Sequence, residues 1–354
     1  MRIAQLAPLI ECVPPTGYGG TELVVSLLTE QLIKRGHTVT LFASGDSKTK
    51  ARLIDVVPEA LRKAKDIPLH RWPAYDLRSL LKLKEMQDEF DVIHNHMGYM
   101  ALPFLNNLNC AVVTTNHNLV ADYCAELYLA HRDLPFVAIS DAYRRLNYPD
   151  YLNYTEVIYN GIDIDEYVCD LTIKRDYLLF VGRISADKGT AIAIDIAVKL
   201  GLPLKIAGKV DVVDEDYFAK EVKPRLSRAN VEFLGEVSMA QKVELYSRAI
   251  AVVYPIAFEE PFGLVMAEAL ASGTPVLALD RGSVKEVIFD GETGVVALSA
   301  SELVDRFCEI KNISASTCRQ RAVKLFSKER MSQEYEDLYV RLAEKSKKLN
   351  SVVV

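Results

Sequence analysis

The chain has 354 residues, of which half are hydrophobic and a quarter charged, with a formal net charge of −6. That length exceeds the size at which one hydrophobic core usually stops growing, so two domains are expected. The negative balance argues against a nucleic-acid partner, and no apolar stretch approaches the ~20 residues needed to cross a bilayer. The six cysteines, at 12, 110, 124, 169, 308 and 318, show no metal-ligand or redox spacing and read as reduced thiols of a cytoplasmic protein.

In MRIAQLAPLI, Arg2 precedes an apolar run that resembles an export signal, but Gln5 and Glu11 interrupt it and no small-residue cleavage site follows. Residues 3–9 therefore read as a buried first strand. The loop PPTGYGGTE follows, with Gly17, Gly19 and Gly20 just before a helix predicted over 22–35. Such glycines let a backbone approach a ligand closely and aim N–H groups at it. The loop is neither a Walker loop nor a dinucleotide fingerprint, and alone it says little.

A strand is predicted at 37–44, then a basic stretch over 61–84 that holds Trp72, the only tryptophan. That stretch reads either as a solvated helix and loop or as a surface lying on anionic lipid or an anionic acceptor. Further strands are expected at 92–94, 111–115 and 136–140. His94 and His96 end the first of these, and His117 lies just past the second. A lone histidine is more often structural than catalytic, and His94 is read that way. Alternation of strands and helices indicates parallel sheets with helices on both faces.

The pattern breaks at YNGIDIDEY, 159–167, and restarts with a strand at 177–181. GRISADKG follows, placing Arg183 and Lys188 on a loop leaving the carboxyl end of that strand, where phosphates bind in such sheets. Arg can grip phosphate oxygens bidentately and Lys adds a point charge. A helix over 190–200, strands at 204–207, 231–234, 250–254 and 275–278, and a helix over 262–272 complete the second half.

Between the last two strands lies EPFGLVMAE, with Glu260 in a loop, Pro261, Phe262 and Gly263 at a turn, and Glu268 inside the helix. Free N–H groups at Gly263, Leu264 and Val265 suit an anion such as a diphosphate. A carboxylate one turn on can accept from ribose hydroxyls, and the loop carboxylate can reach a sugar. A capped helix whose glutamates face water is the alternative. The acidic triplets at Asp163–Asp165 and Asp214–Asp216 read as surface turns, so no metal site is expected.

GRISADKG, EPFGLVMAE, SGTPV and DGETG, with GGTE near the start and NGID at the junction, occur in an order and spacing that resemble the family-4 retaining glycosyltransferases of the GT-B fold. The resemblance covers essentially the whole chain. It implies an α/β protein of two Rossmann-like, doubly wound parallel-sheet domains facing across a cleft. The first, 1–165, would take the acceptor; the second, 166–327, would take the nucleotide-sugar donor; a helix at 328–347 would cross back to the first. The implied reaction moves a hexose-type sugar from a nucleotide-diphosphate sugar to a hydroxyl acceptor with retention, without metal or other cofactor.

By the same resemblance Arg183 and Lys188 hold the diphosphate, Glu268 the ribose and Glu260 the donor sugar. Gly263, Leu264 and Val265, with Phe262 at their turn, match the backbone on phosphate and sugar. Gly19 and Gly20 match the glycine loop on the donor, and His117 a histidine near its sugar. Asn116 and the pair Tyr254-Pro255 depart from the usual pattern. A nucleotide-sugar epimerase and a non-catalytic nucleotide-sugar-binding subunit are the competing readings. Location is expected in the cytoplasm, with segment 61–84 as the candidate contact at the inner face of the membrane.

Overall fold

Thirteen strands form among the residues described by the computed structural model, which are 1–170, 172–227 and 230–352. They belong to two compact units, Met1–Gly161 with Lys328–Val354, and Ile162–Ser327.

The first unit holds β1 (Arg2–Leu6), β2 (Thr38–Ala43), β3 (Arg52–Asp55), β4 (Val92–Asn95), β5 (Ala111–Thr115), β6 (Phe136–Ala138) and β7 (Tyr154–Val157). Their order across the sheet is β3-β2-β1-β4-β5-β6-β7, and every pairing is parallel. Strands of a parallel sheet are covered on both faces, which explains unbroken apolar runs such as Leu41–Ala43. The chain winds outward from β1 in one direction and from β4 in the other. The crevice between the carboxyl ends of these two strands is therefore the topological switch point, where ligands of such sheets bind. The glycine loop follows β1, and His94 and His96 end β4.

Lys328–Val352 is one helix, and it packs on the helix Gly20–Lys34 and on β4 and β5. Its buried stripe, Met331, Tyr335, Leu338 and Tyr339, has helical spacing, with charged residues between. The turn at Asn160-Gly161 meets the start of this helix. A Cβ on Gly161 would stand 2.8 Å from the Cα of Lys328, and the Gly161 N–H points at the Met331 sulfur 2.9 Å away.

The second unit holds β8 (Tyr177–Val181), β9 (Leu204–Ala207), β10 (Val231–Gly235), β11 (Ala249–Tyr254), β12 (Val276–Leu279) and β13 (Gly294–Ala297). This sheet is also parallel, in the order β10-β9-β8-β11-β12-β13. Its switch point lies between β8 and β11. Loops crowd the carboxyl edge here: a Cβ on Gly208, just past β9, would fall 1.7 Å from the Gly182 carbonyl oxygen, just past β8. Leu178, Phe180, Ala251 and Val253 on the two central strands are fully buried and anchor the core beneath that edge.

Candidate active site

Arg183 and Lys188 lie on the loop leaving β8, and Glu260 on the loop leaving β11, so all three stand at the switch point of the second sheet. Their charges are already matched. The Lys188 ammonium is 2.9 Å from Glu260 Oε2, which also accepts from the Tyr254 hydroxyl at 2.5 Å. The same ammonium lies 4.5 Å from the centre of the Phe258 ring. Arg183 donates to Asp214 Oδ2 at 3.1 Å and pairs with Asp187 at 3.5 Å. Asp214, read from sequence as part of a surface turn, is thus the partner of a site cation, and its side chain is only 13% exposed.

Two glycines bring these loops together. Gly189, with φ of 73°, begins the helix Thr190–Leu200, and a Cβ there would meet the Pro255 carbonyl oxygen at 2.1 Å. Gly282, with φ of 56°, leaves no room for a side chain, since a Cβ would sit 2.3 Å from the Glu260 carbonyl oxygen and 2.5 Å from its nitrogen. The Ser283 N–H donates to the Glu260 carbonyl at 2.9 Å, and its hydroxyl to that of Phe262 at 3.0 Å. The loop after β12 thereby clamps the backbone that carries Glu260.

Gly263 caps the helix Leu264–Ala271 in the left-handed region, and Gly263, Leu264 and Val265 are half-buried. An open helix start with unclaimed N–H groups favours an anion. The Phe262 side chain takes no part, because it is buried edge-on against Phe326 with centroids 5.5 Å apart. Glu268 is buried, with Lys242 donating to Oε1 at 2.8 Å and the Tyr246 hydroxyl to Oε2 at 2.8 Å.

Lys242 and Tyr246 were not singled out from sequence. Ser238 and Gln241 form a reciprocal capping box that starts the helix Met239–Arg248. Counting from that start puts residues 242 and 246 on one face, one turn apart, a signal the sequence did carry.

In the first unit, Gly19 has φ of 156° and precedes the helix that begins at Gly20. A Cβ at Gly19 would meet Pro15 at 2.7 Å and the Glu22 carboxylate at 3.2 Å. Glu22 is buried, and its pKa is raised to about 7, first by desolvation and to a lesser degree by Glu11. His96 Nδ1 and His117 Nε2 are 3.0 Å apart. Burial holds His94 and His96 well below the usual histidine range and brings His117 down to about 4, so all three rings are neutral near pH 7. His117 nonetheless keeps part of its surface open. Asn116 accepts from the Tyr128 hydroxyl at 3.0 Å, so this departure from the family pattern is tied into the first core.

Segment 61–84 divides in two. Trp72 donates its indole N–H to the Ile67 carbonyl at 3.2 Å and packs with Ile67 and Tyr75 on a cluster of Leu9, Val56, Val57 and Leu61. The tryptophan is thus structural. Leu69, Leu77 and Leu81 are exposed.

Comparison with known proteins shows the family and the fold. The sequence model described as "Glycosyltransferase Family 4" matches residues 18–166, and that described as "Glycosyl transferases group 1" matches residues 168–319. The chain belongs to the family-4, group 1 glycosyltransferases. It is 28% identical to the phosphatidyl-myo-inositol mannosyltransferase of Mycobacterium tuberculosis over 83% of this chain and 82% of that protein. Sucrose-phosphate synthase from Thermosynechococcus elongatus superposes with a TM-score of 0.80 at 20% identity, over 97% of this chain and 99% of that one. The Anabaena protein HepE, solved in complex with UDP-glucose, gives 0.74 at 18% identity, over 97% and 100%. The fold of this glycosyltransferase is GT-B.

The raised pKa of Glu22 has a consequence for stability. Its neutral form contributes stability in full below about pH 4.5, and this is lost as pH rises through about 7. Glu22→Gln should therefore match the parent protein in thermal unfolding at pH 4.5 and exceed it at pH 8 by on the order of 1–3 kcal/mol. Equal stability at both pH values would show that the carboxyl is not buried as described.

Proposed function

We propose that this glycosyltransferase is a retaining hexosyltransferase that takes its sugar from a nucleotide-diphosphate sugar and passes it to an acceptor hydroxyl. The observation that carries the reading is the cluster of Arg183, Lys188 and Glu260 at the switch point of the second sheet, beside an open helix start at Gly263. The UDP-glucose in the Anabaena neighbour and the mannosyltransferase activity named for the mycobacterial relative support a hexose donor on a diphosphate.

In this mechanism the acceptor oxygen attacks the anomeric carbon from the face that the diphosphate leaves. The bond from that carbon to the phosphate oxygen breaks, its electron pair stays on the diphosphate, and the same oxygen takes the acceptor's proton. Negative charge grows on the leaving group and positive charge on the sugar ring. Arg183 and Lys188 stabilise the first, and preorganised groups of this kind usually contribute more to catalysis than any other single effect. Glu260 orients the sugar hydroxyls and Glu268 the ribose. Gly19, Gly20, Leu264 and Val265 offer backbone to the donor, and His117 contacts a sugar hydroxyl. With two cations supplying the charge, the reaction needs no metal.

Arg183→Ala and Lys188→Ala should each lower donor turnover by about 10²–10³-fold. The product should keep the donor's anomeric configuration by NMR, and EDTA should leave the rate intact. Unchanged turnover in both variants would sink the leaving-group role. Interconverted sugar without transfer would indicate an epimerase, and binding without turnover a nucleotide-sugar-binding subunit.

The same reading includes a peripheral contact with the inner face of a membrane. Leu69, Leu77 and Leu81 stand exposed among Arg71, Arg78, Lys82 and Lys84, which combines apolar anchors with cations suited to anionic headgroups. Sedimentation with phosphatidylserine vesicles should show binding that weakens with salt and is lost in Leu77→Ser/Leu81→Ser. No binding at low salt would remove the membrane from the account.

A further inference from the structure

A chain of buried hydrogen bonds runs from the last helix to His117. Gln5, near the carboxyl end of β1, donates its amide N–H to the Tyr339 oxygen at 3.2 Å. The single hydrogen of that phenol then goes to His94 Nδ1, 2.6 Å away. His94 accepts there, so its proton sits on Nε2 and is donated to Thr115 Oγ1 at 2.8 Å, which lies 2.9 Å from the Tyr335 hydroxyl. In the other direction the Gln5 amide oxygen accepts from His96 Nε2 at 2.8 Å.

Each link fixes the next. A neutral His96 protonated on Nε2 has a bare Nδ1, and only a donor can face it. That donor is His117 Nε2–H, 3.0 Å away. Neutral His117 then has no proton on Nδ1, and among the described residues that nitrogen has no hydrogen-bond partner. Neither His94 nor His96 relaxes the pattern by gaining charge, since their ring centroids are 3.9 Å apart and both rings are buried. The Thr115–Tyr335 bond can run either way, but reversing the bonds that join Tyr339, His94, His96 and His117 requires a turn of the Gln5 amide.

We propose that Gln5 and Tyr339 are positioning residues that, through His96, hold His117 in the tautomer whose bare Nδ1 accepts a hydrogen bond from a substrate hydroxyl. The proposal rests on the reading of His117 as a sugar contact. It narrows that reading: His117 is neither a proton donor nor a general acid towards the sugar. The last helix, through Tyr339, thereby shapes a group of the first sheet's carboxyl edge without touching the ligand.

The test is a long-range ¹H–¹⁵N spectrum of the histidine rings in the ¹⁵N-labelled full chain at pH 7, paired with donor kinetics. The expected spectrum shows His117 protonated at Nε2 and bare at Nδ1. In Tyr339→Phe, which keeps the packed ring, and in Gln5→Leu, the signal should move to a mixture of tautomers. The donor KM should rise about five- to tenfold, with kcat changing less. A parent His117 protonated at Nδ1, or one whose tautomer is untouched by both variants, would overturn the relay. His117→Ala with an unchanged donor KM would instead refute the sugar contact, whatever the tautomer, and the proposal with it.

Discussion

Glu260 holds its place because residue 282 has no side chain. The loop leaving β12 lies so close to the Glu260 backbone that even a methyl group would overlap it, and Ser283 closes the contact with bonds to the carbonyls of Glu260 and Phe262. Everything at the switch point inherits that placement. Lys188 is drawn to Glu260, Tyr254 is hydrogen-bonded to the same oxygen, and Gly189 lets the loop from β8 lie against Pro255. The charged groups are thus held by backbone contacts that leave little freedom for the side chains to choose other positions.

The second governing feature is that charge is compensated inside the protein. Arg183 has Asp214 and Asp187, Lys188 has Glu260, and Glu268 has Lys242. Partly buried ions are costly without partners, so each of these charges stands beside one of opposite sign. The first unit solves the same problem differently. Its buried His94, His96 and His117 are neutral, and every ring nitrogen of the three except His117 Nδ1 is tied into hydrogen bonds that lead to the last helix.

Much of this was legible in the sequence because parallel strands are buried on both faces and stand out as apolar runs between helices. Strands were missed at the margins. β3 (RLID) and β7 (YTEV) are short, polar edge strands, and β13 follows a glycine turn that masks its start. The positions of Arg183, Lys188, Glu260 and Glu268 in the fold were readable because their motifs join a strand end to a helix start. Lys242 and Tyr246 share a helix face that the capping box marks, but their bonds to a carboxylate 26 and 22 positions away, like that of Asp214 to Arg183 31 positions away, leave no local pattern that names the partner. The relay through Gln5 and Tyr339 spans 334 residues and follows only from folding.

The central claim is that the carboxyl edge of the second sheet is a diphosphate site. Calorimetric titration of UDP, GDP and ADP, each against its monophosphate, tests it most directly. The account predicts that at least one diphosphate binds more than tenfold tighter than its monophosphate, and that Lys188→Gln removes the difference. Equal affinities for the two, or a preference that survives the substitution, would contradict it.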